Sequence, residues 1–236
     1  MPFSYRLLLI ATSLVDATGA FTLSAKPSPA EHHNFLQRKP ARSSLVAASL
    51  PSVPALAAAS FLPTCLGFWK TGYAVSLGYG GAMFTCGALM LPCDLSLVAR
   101  AHALALMFYG LRLNAFLMYR ELALPVEVHQ MKKRDATLAE RLKRAPVVIG
   151  CSVLYFCMAA PLRISALTQG NAAAAGAVAL AFLGFGVAAL GDVWKTVVKA
   201  SKGADFLVRS GPFKWLRHPN YTGECFGWTA SFAVAC

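Results

Sequence analysis

Charge is scarce in this sequence of 236 residues: Asp, Glu, Lys and Arg make up 14%, against 57% hydrophobic residues. Soluble domains run near 25% charged and 45–50% apolar. A soluble core of this length would therefore be left with an apolar surface that a monomer does not tolerate. The high hydrophobic fraction excludes disorder, which needs low hydrophobicity and high net charge. Cysteine is sparse as well. The seven present include no Cys-x-x-Cys pair, so neither a disulfide scaffold nor a metal site is expected. Cys86, Cys151, Cys157 and Cys225 stand inside apolar runs and read as small hydrophobes. What remains is an integral membrane protein whose first partner is the lipid bilayer.

Acid is the scarcest charge, with 10 Asp and Glu against 22 Lys and Arg and a net charge of +12. The surplus does not indicate nucleic acid, because it falls between apolar segments. Lys132, Lys133, Arg134, Arg141, Lys143 and Arg144 fill one connection; Lys195, Lys199, Lys202, Arg209, Lys214 and Arg217 fill another. Membrane topology explains that distribution.

The N-terminus reads as targeting sequence. Residues 1–20 have a basic start at Arg6, a short apolar stretch and a small-residue end at Thr18, Gly19 and Ala20, the pattern of a signal peptide. Residues 21–50 are rich in Ser, Ala and Pro and carry Lys26, Arg38, Lys39 and Arg42 against the single acid Glu31, a transit-peptide composition. A signal followed by a transit peptide with Phe21 first resembles the bipartite presequence of complex, red-lineage plastids. A plastid membrane is expected, with the endoplasmic reticulum as the alternative. Residues 51–236 then form the membrane domain.

Five apolar segments predict an all-α, polytopic transmembrane helical bundle of about five or six spans, the last one incomplete. They cover residues 45–69, 73–91, 95–119, 146–167 and 172–194. The turns at 92–94 and 168–171 contain no Lys or Arg, whereas the connections at Lys70, 120–144 and 195–217 contain nearly all of them. Two spans separate successive basic loops, so all basic loops face one side, cytosolic or stromal. Residues 127–144, with mixed charge, suggest a short surface helix. From Thr222 the terminal apolar run is too short to cross a ~30 Å hydrocarbon core as a helix, so the sequence is expected to be a truncated fragment, inactive as it stands.

Chemistry concentrates in Gly211-Pro-Phe-Lys-Trp-Leu-Arg-His-Pro-Asn-Tyr-Thr-Gly-Glu224. Pro219 biases His218 away from helix, which places Arg217 and His218 on a turn opening the next span. A helix N-terminus there suits a phosphate or carboxylate. Glu224 lies one turn into the membrane, where an ionisable group is a functional candidate by default. Trp, Tyr, Arg and His also favour headgroup depth, so the same cluster suits an interfacial anchor.

Arg217-His218-Pro219-Asn220-Tyr221-x-Gly223-Glu224 resembles the C-terminal region of the steroid 5-alpha-reductase-like membrane family, including its uncharacterised DUF1295 group. Gly191-Asp192-Val193-Trp194-Lys195 resembles the family's small-Asp-x-x-Lys. Tyr109-Gly110-Leu111-Arg112-Leu113 resembles its Gly-x-Arg-Leu, and Arg120 the Arg that follows. Residues 145–161 resemble plant and algal members. The resemblance implies an NADPH-dependent reductase of a carbon–carbon double bond conjugated to a carbonyl in a lipid-like substrate: a sterol, an enoyl lipid or a prenyl chain. It implies a cofactor pocket lined by Arg217, His218, Asn220, Tyr221 and Glu224 and completed by Asp192, Lys195 and Arg112. The family's Tyr–Glu catalytic pair finds no match here, and Tyr221 is the one candidate proton donor. Two alternatives stay open. Isoprenylcysteine and phospholipid methyltransferases carry a related Arg-His-Pro-x-Tyr-x-Gly and use S-adenosylmethionine, and a non-catalytic membrane protein could retain the fold.

Overall fold

The computed structural model describes residues 49–123, 137–168, 170–203 and 205–236, and among these the regular structure is helical. The expected signal and transit segments lie outside the described residues, except for the last two of the latter. So does most of the 127–144 stretch, of which the part from Thr137 onward is described.

The chain enters through α1 (Val53–Thr64), where Ser52 caps the Ala55 N–H at 3.3 Å and Pro54 occupies the first turn. The α1 helix gives way at Cys65 to a single turn, α2 (Leu66–Trp69). The last carbonyls of α2, on Phe68 and Trp69, accept from the Arg144 guanidinium at 2.9 and 2.6 Å. The segment 73–91, expected as one span, is broken at Ser76 (φ −103°, ψ −84°) into α3 (Thr71–Val75) and α4 (Leu77–Met90). The Asn114 side chain sits at this break. Oriented to match its neighbours, its amide accepts from the Gly81 N–H at 3.0 Å and donates to the Leu77 carbonyl at 3.2 Å.

Among the described residues, three helical stretches are long and apolar enough to cross a membrane: Leu97–Leu122, Leu138–Leu167 and Ala172–Lys202. They contain α5 (Leu97–Ala123), then α6 (Leu138–Leu142) with α7 (Ala145–Leu167), and α8 (Ala172–Lys202). The α6 helix is the described remnant of the expected surface helix, and a reciprocal Thr137–Glu140 capping box starts it. The α8 helix begins where Asn171 caps the Ala174 N–H at 2.8 Å and ends at Gly203, whose φ of +100° a side chain would resist. After a 3-10 turn at Gly211–Lys214, α9 (Pro219–Ala233) opens with Pro at its first position and His218 as its cap.

Packing turns these elements into a bundle. The α8 and α9 helices cross at backbone contact. A Cβ at Gly223 would lie 2.5 Å from the Ala188 nitrogen, and one at Gly191 would lie 2.8 Å from the Asn220 nitrogen. Aromatic rings from five helices fill the centre. Tyr79 of α4 stacks on Tyr155 of α7 at 4.8 Å, while Tyr109 of α5 meets Phe185 of α8 at 4.7 Å and Trp228 of α9 at 5.1 Å. One polar joint lies fully buried. His102 of α5 bonds Ser165 of α7 through Nδ1 (3.0 Å) and Ser231 of α9 through Nε2 (2.8 Å).

Candidate functional site

Arg112 stands mid-way along α5, and its charge is tolerable in an apolar helix only if it is paired. It is paired twice. Its Nη1 donates to Asp192 Oδ2 of α8 and its Nη2 to Glu224 Oε1 of α9, each at 2.8 Å. The side chains are 8%, 12% and 25% exposed, so Arg112 and Asp192 are almost fully covered and Glu224 keeps one open side. Two local devices bring the acids to the arginine. Gly191 lets the α9 backbone at Asn220 approach α8 beside Asp192, and Gly223 lets the first turns of α9 lie on Ala188. The motifs of Asp192 and Glu224, 80 and 112 residues beyond Arg112, thus meet at its guanidinium.

The remaining expected residues lie around this joint. Asn220, partly buried, reaches the Asp192 carboxylate with its side chain. Lys195, Arg217, His218 and Tyr221 are exposed on the end of the bundle where α8 finishes and α9 begins. The His218 and Tyr221 rings face each other edge to plane at 6.0 Å. The 3-10 turn before them is held against α8, where the Trp194 indole donates to the Ser210 hydroxyl at 3.3 Å. Each terminal nitrogen of Arg112 gives one N–H to a carboxylate, so the guanidinium holds Asp192 and Glu224 in place.

A family model described as "Protein of unknown function (DUF1295)" matches residues 79–236. The chain belongs to this family. No curated protein and no solved structure matches it.

Beside the ion pairs, three buried donors among the described residues of this DUF1295 chain lack a hydrogen bond of ordinary geometry: the Arg112 Nε, and the Tyr109 hydroxyl and Trp228 indole nitrogen, which both lie beside the Tyr79 hydroxyl. Buried polar groups are nearly always satisfied, so such groups call for an explanation. Tyr109 is fully buried, and the Arg112 guanidinium lies 4.8 Å from its ring centroid. Neither Tyr109 nor Trp228 stands out in the sequence as a site residue. The available signal was helical spacing, since Tyr109 precedes Arg112 by three residues and Trp228 follows Glu224 by four, which puts each on its partner's helix face. On the other flank of Arg112 a groove of about 430 Å³ runs between α5 and α8. Arg112 and Asp192 line it together with the apolar side chains of Ala115, Phe116, Ala189 and Val193. Glu224 does not line it.

Proposed function

We propose that this chain is a membrane-embedded, NADPH-dependent reductase of a carbon–carbon double bond conjugated to a carbonyl, akin to the steroid 5-alpha-reductase-like proteins, acting on a lipid. The convergence of Arg112, Asp192 and Glu224, from three separate motifs, on one buried joint carries this reading. A purely interfacial anchor needs no such joint.

The donor set suits the cofactor. Its phosphates need exposed cations and N–H donors, which Arg217 and Lys195, with the His218 imidazole, offer around the start of α9. Its ribose hydroxyls need acceptors, which Glu224 on its open side and the Asn220 amide provide. NADPH supplies a hydride to the β-carbon of the conjugated system. The protein's part is to bind the carbonyl oxygen with a donor, so that charge developing there is stabilised, and to keep water out. Tyr109, buried at the joint with its hydroxyl beside that of Tyr79, suits that task better than Tyr221, which is 65% exposed. The presequence composition of residues 21–50 supports a plastid membrane as the location.

NADPH titration of purified protein tests the cofactor half. Arg217→Ala should weaken binding at least tenfold, the loss of a charge-assisted contact of about 1.5–3 kcal/mol. Unchanged affinity in a folded variant leaves Arg217 as an anchor only. NADPH-dependent loss of an enone's absorbance tests the chemistry, with Tyr109→Phe expected to lower the rate by at least tenfold and Tyr221→Phe to leave it within about threefold. Methyl transfer from labelled S-adenosylmethionine would replace this reading.

A further inference from the structure

The connection from α8 to α9 does not stand away from the membrane. The apolar run of α8 ends at Trp194, yet the helix continues to Lys202, about 12 Å further at 1.5 Å per residue. The chain then folds back to the level of Trp194. Ser210 accepts from the Trp194 indole at 3.3 Å, and Gly211, with φ +59°, lies so close on that ring that a side chain there would overlap it. Val208 is buried on the same inner side. Residues 206–216 are therefore a strap pressed to α8 at the depth where its apolar run stops, which is the depth of the lipid headgroups.

What the strap leaves outside is apolar and cationic together. Trp215 is 83% exposed and Leu207 65%, with Phe206 and Leu216 exposed beside them. Lys202, Arg209 and Lys214 are exposed in the same stretch. The Lys202 ammonium lies 4.7 Å from the Phe206 ring centroid and that of Lys214 5.7 Å from Trp215. Asp205 is the one acid between Lys202 and Leu216, and among the described residues none of the three cations pairs with a carboxylate. Water suits the cations but not Trp215 and Leu207; an apolar protein surface suits Trp215 and Leu207 but not unpaired cations. A layer of lipid phosphates over acyl chains suits both. We infer that residues 206–216 are a foot lying in the membrane interface, and that their partner is the anionic lipid of the leaflet on the basic side. Lys202, Arg209 and Lys214 hold lipid phosphates while Trp215 and Leu207 enter the interface. The cations of the cofactor reading, Lys195 and Arg217, are different ones, so this inference stands whether or not the chain is a reductase.

Two photoreactive phospholipids test it, a phosphatidylglycerol and a phosphatidylcholine that share one acyl chain with a diazirine near the glycerol. Each is present in trace amount in neutral-lipid nanodiscs that hold the full chain. The phosphatidylglycerol should label peptides covering residues 205–216 at least threefold more than the phosphatidylcholine. That excess should shrink between 0.1 M and 1 M salt, where the screening length falls from about 10 Å to about 3 Å. At the turn of residues 168–171, on the side without basic loops, both probes should label alike. Replacing the cations, as Lys202→Gln with Arg209→Gln and Lys214→Gln, should remove the excess while leaving labelling at 168–171 unchanged, which reports an intact bundle. Trp215→Ser should lower labelling of the strap by both probes at least twofold. Equal labelling of the strap by both lipids overturns the proposal, as does an excess that survives the triple substitution. Absence of strap labelling by either probe also overturns it, because the strap then stands in water or under another protein. Loss of the excess on adding NADPH assigns these cations to the cofactor and overturns it too.

Discussion

Arg112 would be a liability in hydrocarbon without its two carboxylates, and the carboxylates would be so without it. Removing one member of a buried pair costs about 3–5 kcal/mol, because the partner is left charged and unpaired. Arg112→Ala should therefore lower unfolding stability by about that much in detergent titration, with two acids stranded rather than one. Neutralising all three, as Arg112→Gln with Asp192→Asn and Glu224→Gln, should recover most of the loss without recovering NADPH binding. If the triple variant is as unstable as Arg112→Ala, the arginine contributes through packing rather than charge. His102 makes a different kind of prediction. The Ser165 hydroxyl gives its one proton to the Leu162 carbonyl at 2.9 Å, so it can only accept from His102. The imidazole proton must then sit on Nδ1, leaving Nε2 to accept from Ser231. Nitrogen NMR of labelled His102 should show that tautomer, and the opposite one would contradict the accounting. Ser231→Ala should cost about 0.6–1.7 kcal/mol, the range for interhelical hydrogen bonds in membranes. At this scale the sequence was legible wherever a charge interrupted an apolar run, as at Arg112, Asp192 and Glu224. It was silent on Tyr109 and Trp228, because an aromatic residue in an apolar helix looks like core whether or not its polar tip is satisfied.

Helix boundaries show where hydropathy stops being informative. The expected end of α8 at Trp194 marks where the apolar run ends, yet the helix continues to Lys202. Lys195, Lys199 and Lys202 are good helix formers and favourably placed near the C-terminal dipole, so the backbone has no reason to unwind where the lipid ends. The break at Ser76 escaped sequence reading for the opposite reason: Asn114, which engages the backbone there, lies on another helix. The close crossing of α8 and α9 can be tested directly. Gly223→Val would drive a side chain into the Ala188 backbone, moving Glu224 off Arg112, and should both destabilise the fold and weaken NADPH binding. Gly186→Ala, with open space around it, should do neither. A second joint ties the α2–α3 connection to α5, where Lys70 donates to the Glu121 carboxylate at 3.0 Å. That hydrogen bond raises the Lys70 ammonium above its usual range. Its stabilisation is complete below the unfolded-state value near 10.4 and is lost as pH rises through the higher folded value. The pair is largely exposed, so at neutral pH Lys70→Met should cost under about 1 kcal/mol while reducing the alkaline loss of stability seen in the native chain.

For the molecule as a whole, the pattern of basic loops and the helical bundle describe the same object from two directions. Loop charge assigns Thr168–Asn171 to one side of the membrane and the α8–α9 connection to the other, and α8, at 31 residues and about 1.5 Å per residue, exceeds the ~30 Å hydrocarbon core. Its surplus falls at the lysine-rich end, where long cationic side chains reach the headgroups. Arg217, His218 and Lys195 then share a side with the basic loops, which the cofactor reading needs, because a phosphate-bearing dinucleotide arrives from water and not from lipid. Sequence alone placed these residues on that side but could not show that Asp192 and Glu224 turn inward while Lys195 and Tyr221 stay outside; only helix rotation, fixed by Gly191 and Gly223, decides that. Single cysteines introduced at Asn171 and at Ser201, in a background with the seven native cysteines replaced, provide the check. In sealed, oriented vesicles a membrane-impermeant maleimide should reach one position from outside and the other only after permeabilisation. Reaction of both from the same side would mean that α8 does not cross, would place the cationic rim and the 168–171 turn in one compartment, and would remove the route by which cofactor and lipid reach Arg112 from opposite surroundings.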